Sequence, residues 1–182
     1  MTGFKNRLSQ NVEAVVDTGD RLVTTEIDHD NIHLGKNFRS WVNAGSIAAA
    51  GVFNVLIKTG AKEVHWRQSN PKPTADKLRL QFFEDTTVSA NGTALTLKNC
   101  NRQSAVTPQV TLFHTPTITA DGTQIAETYL PGSTGTGGVR NGSELGQQAE
   151  WVLKSNAIYL IRYTNESSGA SIININFDWY EI

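Results

Sequence analysis

The chain has 182 residues, a mass of 19.9 kDa and a formal charge of −1, with 38% hydrophobic and 18% charged residues and one cysteine. That length suits a single domain, which by surface scaling buries about 70% of the area of its extended chain and needs no cross-links. A lone Cys100 excludes an internal disulfide, the near-neutral charge exerts no long-range pull on nucleic acid or anionic lipid, and no apolar run reaches the ~18 residues of a membrane span.

Met1 is followed by Thr-Gly-Phe-Lys-Asn-Arg, with no apolar signal segment, so synthesis in a reducing cytoplasm is expected. Neither nucleic acid nor membrane is expected as a partner. Residues 1–20 are polar with scattered apolar positions. Phe4, Leu8, Val12, Val15 and Val16, with Lys5 and Arg7 among them, read as an N-terminal arm with little core of its own. From residue 21 to 182 the pattern is one all-β domain, an antiparallel β-sandwich. Runs of β-branched and aromatic residues, broken by Gly, Asn, Asp and Pro, predict strands over 21–27, 38–42, 52–59, 63–67, 78–84, 94–97, 109–114, 123–130, 151–153, 157–164 and 171–179.

Alternation assigns the faces. In Glu63-Val64-His65-Trp66-Arg67, Val64 and Trp66 belong to the core, with Glu63, His65 and Arg67 outward. Along the last strand Ile173, Ile175, Phe177 and Trp179 face inward. Asn174, Asn176, Asp178 and Tyr180 face outward, a set poor in the Thr and Lys of solvated strands, so this face is expected at a subunit contact. The stretch 157–163 is apolar on both faces until Arg162, as in a central strand covered twice.

Thr87-Val-Ser-Ala-Asn-Gly-Thr-Ala-Leu95 matches Thr117-Ile-Thr-Ala-Asp-Gly-Thr-Gln-Ile125, and the Asn-Gly and Asp-Gly pairs predict two similar hairpin corners of type I′. The sequons at Asn91, Asn141 and Asn165 read as turn residues, and Pro131–Ser143 reads as a long glycine-rich loop.

No catalytic constellation emerges. The glycine loop lacks the Gly-Lys-Ser/Thr ending of a phosphate cradle, and no Gly-x-Ser-x-Gly elbow occurs. Cys100 lies between Asn99 and Asn101 with Lys98 and Arg102 close by, basic neighbours that could lower its pKa, but it has no assignable histidine partner. Asp28-His29-Asp30-Asn31-Ile32-His33 offers two imidazoles and two carboxylates, yet no helical signal accompanies it, and in extended chain the two histidines sit ~13 Å apart, too far to share an ion. The expectation is therefore no enzyme, no cofactor and no metal. Trp66 and Trp179 fall on core faces, leaving Trp41 and Trp151 as candidate platforms for a carbohydrate ring.

Taken together, several segments resemble a known group. They are Asn6-Arg7-Leu8, the run from Leu22 through Asp28-His29-Asp30-Asn31-Ile32-His33 to Gly35 and Phe38, the Asp121-Gly122-Thr123 turn, and Glu150-Trp151 through Lys154, Asn156, Tyr159, Arg162, Thr164 and Asn165, closed by Asp178-Trp179-Tyr180-Glu181. The pattern resembles small virion proteins of tailed bacteriophages, most like head-decoration (capsid cement) proteins. That resemblance implies a jelly roll similar in fold to the tumour necrosis factor family, a homotrimer on the capsid, the major capsid protein as partner and the virion surface as location. The arm residues Phe4, Lys5, Arg7, Leu8, Val12, Val15 and Val16 then become candidate capsid contacts, able to order on the partner's surface. The alternative is a carbohydrate-binding or tail-associated adhesion module of jelly-roll type.

Overall fold

The computed structural model describes residues 15–16, 22–23, 27–67, 72–74, 77–131 and 150–182. In chain order the elements are β1 (Val15–Val16), β2 (Leu22–Val23), helix α1 (Ile27–His33), β3 (Asn37–Ile47), β4 (Val52–Lys58), β5 (Val64–Arg67), β6 (Lys72–Pro73), β7 (Lys77–Glu84) and β8 (Thr87–Ala90). They continue with β9 (Thr93–Ala94), β10 (Leu97–Asn99), β11 (Thr111–His114), β12 (Thr117–Ala120), β13 (Thr123–Pro131), β14 (Trp151–Leu153), β15 (Ile158–Asn165) and β16 (Ser171–Glu181).

Two antiparallel six-stranded sheets form the sandwich. One runs β10-β3-β16-β5-β14, with β6 also paired to β16, and the other runs β13-β7-β15-β4-β11-β9. The eight strands β3, β4, β5, β7, β13, β14, β15 and β16, counted first to eighth, give neighbours in the order 1-8-3-6 in one sheet and 2-7-4-5 in the other. This is the strand order of a jelly roll, in which opposite ends of the chain pair at the centre of each sheet. The all-β sandwich read from periodicity is the fold observed.

The core lies between the sheets. Phe38, Val64, Trp66, Ile173, Ile175, Phe177 and Trp179 of the first sheet meet Val55, Ile57, Leu78, Phe82, Tyr159, Ile161 and Tyr163 of the second. The inward faces expected for β5 and β16 are correct, and β15 is covered on both sides, since Leu160 is fully buried opposite Tyr159 and Ile161. Trp66 packs against Trp179 at 5.7 Å and against Phe177 at 5.8 Å. At roughly 1.5–3 kcal/mol per fully buried large side chain, β16 alone contributes a large part of a single domain's stability.

Several local expectations are corrected. Within the strand expected over 21–27, Leu22–Val23 form β2, which pairs with β1 (Val15 opposite Val23) in a separate two-stranded ribbon, and residues 21 and 24–26 lie outside the described residues. Ile27 then opens a helix. Val15 and Val16 thus pair with a neighbouring segment, whereas Phe4, Lys5, Arg7, Leu8 and Val12 lie outside the described residues. So does the glycine loop from Gly132 onward.

The repeat is real, but its corners are not type I′ hairpins. Only the glycines have positive φ (Gly92 +86°, Gly122 +87°), whereas type I′ requires it at both central residues. Instead β8 pairs with β12, β9 with β11, and the start of β13 with the end of β7, so an approximate local two-fold relates the two copies. Each glycine is needed at the crossing, because a Cβ on Gly92 would lie 2.2 Å from the His114 carbonyl oxygen and one on Gly122 2.1 Å from that of Glu84.

Asn165 is more than a turn residue. Fully buried, it donates through Nδ2 to the carbonyls of Ile47, Ala48 and Gly169, tying the end of β15 to the β3–β4 turn.

Candidate functional site

The outer face of the first sheet is built by register. Because β3 pairs with β16, and β16 with β5, residues opposite one another share a face: Trp41 with Asn176, Asn43 with Asn174, and Arg39 with Asp178 and then Arg67. On β10, Lys98 stands opposite Arg39. The alternation that buries Phe38, Ser40 and Val42 sends Arg39, Trp41 and Asn43 outward.

Trp41 is 57% exposed at the wall of a groove of about 550 Å³, lined also by Arg39, Lys98, Arg102, Asn176 and Asp178. Arg39 donates through Nε to Asp178 Oδ2 at 2.7 Å, and Arg67 Nη1 lies 3.7 Å from the other carboxylate oxygen. The hydrogen bond from Arg39 to Asp178 and the charge on that carboxylate raise the guanidinium's pKa further. Two more apolar side chains stand on the same outer face, Ile172 of β16 (45% exposed) and Val152 of β14 (59%), the latter opposite His65.

Of the residues expected at a subunit contact, Asn174 and Asn176 are exposed and Asp178 is half-buried in its ion pairs. Tyr180 departs from the expectation. It is on the outward side of its strand, yet buried, because the His65 ring stacks on it at 4.3 Å and its hydroxyl donates to Glu150 Oε1 at 2.8 Å. The same Glu150 oxygen lies 2.5 Å from His65 Nδ1, and Glu63 Oε1 lies 2.9 Å from His65 Nε2. Burial works to raise the Glu150 carboxyl pKa, but the hydrogen bonds from His65 and Tyr180 and the charges on His65 and Arg67 outweigh it and hold it below the usual carboxylate range. The cluster fastens the edge strand β14 to β5 and β16. Strand alternation could not reveal it, since alternation says which way a side chain points and not what lands on it.

Trp151 divides from Trp41. Paired with Trp66 at the inward side of the sheet edge, it packs edge-on against Phe82 at 6.0 Å and completes the core rim. Of the two candidate platforms only Trp41 stands on an open face.

A second groove of about 600 Å³ crosses the outer face of the other sheet, lined by Asn54, Arg79, Gln81, Arg162 and Thr164 among others. Its cations are already paired, Arg79 with Glu166 at 2.8 Å and Arg162 bidentately with Asp121. The Arg162 hydrogen bonds lower the Asp121 pKa, and the ion pair pins the β12–β13 corner to β15.

The basic surroundings of Cys100 do not activate it. Burial pushes its pKa up, and Asp178 adds to that, against the smaller opposing pull of Arg39 and Arg67. The 28–33 stretch, expected without helix, is α1. Gly35, with φ +71°, supplies the left-handed residue that closes it, and the bond from Gly35 N to Ile32 O completes the last turn. That glycine was the readable signal. Helical spacing brings His29 and His33 onto one face, with Nε2 atoms 2.9 Å apart. Among the described residues no group of three or more His, Cys, Asp or Glu is arranged around a common point, and no helix is long and apolar enough to cross a membrane.

Compared with known proteins, the chain matches no family model, no curated protein and no solved structure.

Proposed function

We propose that this protein is a structural virion component of a tailed bacteriophage, decorating and stabilising the outer surface of the capsid as a homotrimer, with the outer face of the β3–β16 sheet at the contact between subunits. The observation that carries the oligomeric part is the exposure of Trp41 on one open sheet face, beside Asn174 and Asn176. A large aromatic ring left exposed on a rigid sheet face suits an interaction surface, and the side-chain amides beside it can hydrogen-bond across the contact. The particle assignment rests on the sequence resemblance, with the arm supplying the capsid contact.

Trp41 also favours a second reading, as a carbohydrate platform flanked by Asn176 and the Arg39–Asp178 pair. Mixing the purified protein with undecorated capsids separates the two. Full-length protein co-sediments with the particles, and a chain starting near Asp20 folds but is released. Equal retention of the shortened chain refutes the arm contact. Failure of both forms to co-sediment, together with binding to a glycan array that Trp41→Ala abolishes, establishes the carbohydrate reading.

A further inference from the structure

We propose that His29 and His33 form a bidentate imidazole site for a divalent transition-metal cation such as copper(II) or nickel(II). The two residues are four apart on α1, the spacing that stacks side chains on one helical face. Their rings meet edge to face with centroids 4.5 Å apart, and Nε2 points at Nε2 across 2.9 Å. With metal–nitrogen bonds of about 2.0 Å, a right-angled pair of ligands places its nitrogens about 2.9 Å apart, while a tetrahedral pair needs about 3.3 Å. The observed separation is an ordinary hydrogen-bond length, and a rotation of either exposed ring by a few tenths of an ångström reaches either bite.

In the metal-free protein one Nε2–H donates to the other Nε2, so one ring carries its proton on Nε2. Binding shifts that proton to Nδ1 and leaves two Nε2 lone pairs for the ion, with no net proton release from neutral rings. Both histidines are exposed, so water can fill the remaining coordination positions.

The support beneath them is fixed. Asn31 is buried, Asn101 Nδ2 donates to the His33 carbonyl at 2.9 Å, and Gly35 sits so close to Ser104 that an added Cβ would lie 2.2 Å from its Oγ. An anchored turn lowers the ordering cost of bringing the two rings to one ion. The other two histidines are committed elsewhere, His65 to Glu63 and Glu150, and His114 to Thr115 Oγ1 and the face of Phe53. Nothing in this site depends on the oligomer or the capsid, so the two proposals fail separately.

The test uses the full chain without an affinity tag, titrated by calorimetry with copper(II) and nickel(II) in a non-coordinating buffer. One equivalent of copper or nickel binds, and His29→Gln or His33→Gln weakens binding at least about tenfold, whereas His114→Gln leaves it unchanged. Wild-type affinity in both His29→Gln and His33→Gln, or no binding by the unmodified chain, overturns the site. Should either variant melt below the parent, the electron paramagnetic resonance spectrum of copper in the intact chain decides: two nitrogen ligands support the site, and one or none refutes it.

Discussion

Replacing Glu181 tests how the two sheets are joined at the chain's end. Glu181 is 1% exposed, and its carboxylate accepts hydrogen bonds from the backbone N–H groups of Gln109 (2.9 Å) and Val110 (3.0 Å) and from the Trp179 indole (3.2 Å). One side chain of β16 in the first sheet thereby holds the approach to β11 in the second. Glu181→Ala leaves three donors without an acceptor, at about 1–3 kcal/mol for each buried donor. Relief of the carboxylate's own burial, and water entering beside the partly exposed Gln109 amide, offset some of this, so the net loss is roughly 3–5 kcal/mol. For a domain of this size that lowers the melting temperature by roughly 10 °C. Glu181→Gln keeps one acceptor oxygen and loses about half as much. Urea denaturation at unchanged m value reads both. A loss below about 1 kcal/mol for the alanine variant, or equal losses for the two, refutes the reasoning.

The crossing of the two repeats predicts that Gly92→Ala and Gly122→Ala each cost at least about 2 kcal/mol, because a left-handed φ and a backbone clash coincide; calorimetric melting checks it, and a neutral effect at either glycine contradicts the crossing. The lowered pKa values of Asp121 and Glu150 mean that each carboxylate's contribution to stability is fully present above its ordinary range near about pH 4 and is lost as pH falls through the lowered value. Melting temperature therefore drops on acidification below about pH 4, less steeply in Asp121→Asn; an equal slope removes the Arg162–Asp121 pair from the account. Deleting residues 171–182 removes Ile173, Ile175, Phe177 and Trp179 from the centre of one sheet and abolishes cooperative unfolding, which circular dichroism during heating shows directly.

What the sequence made legible was whatever depends on period two. The inward faces of β5 and β16 and the double burial of β15 follow from alternation, and the sandwich from strand spacing. Legibility ended where a nonlocal partner decides. The Asn-Gly and Asp-Gly pairs carry hairpin chemistry, yet β8 and β12 pair with each other across the two copies, while β9 and β13 pair with β11 and β7 and not with their own neighbours across the turn. Tyr180 points outward as alternation requires and is buried by His65, 115 residues away in sequence and adjacent in the sheet. Helix α1 is only seven residues long, too short for periodicity to show, and its signal is the closing Gly35. Trp41 was within reach, since the alternation that sends Phe38 and Val42 inward sends it out.

The central claim is that the outer face of the β3–β16 sheet joins copies of this chain. Light scattering after size exclusion of the full-length protein at micromolar concentration measures it directly. Three 19.9 kDa chains give a species of about 60 kDa, and Trp41→Glu, which places a charge in the middle of that face, reduces it to about 20 kDa. A single species of about 20 kDa for the unmodified chain, or a trimer indifferent to Trp41→Glu, contradicts the account.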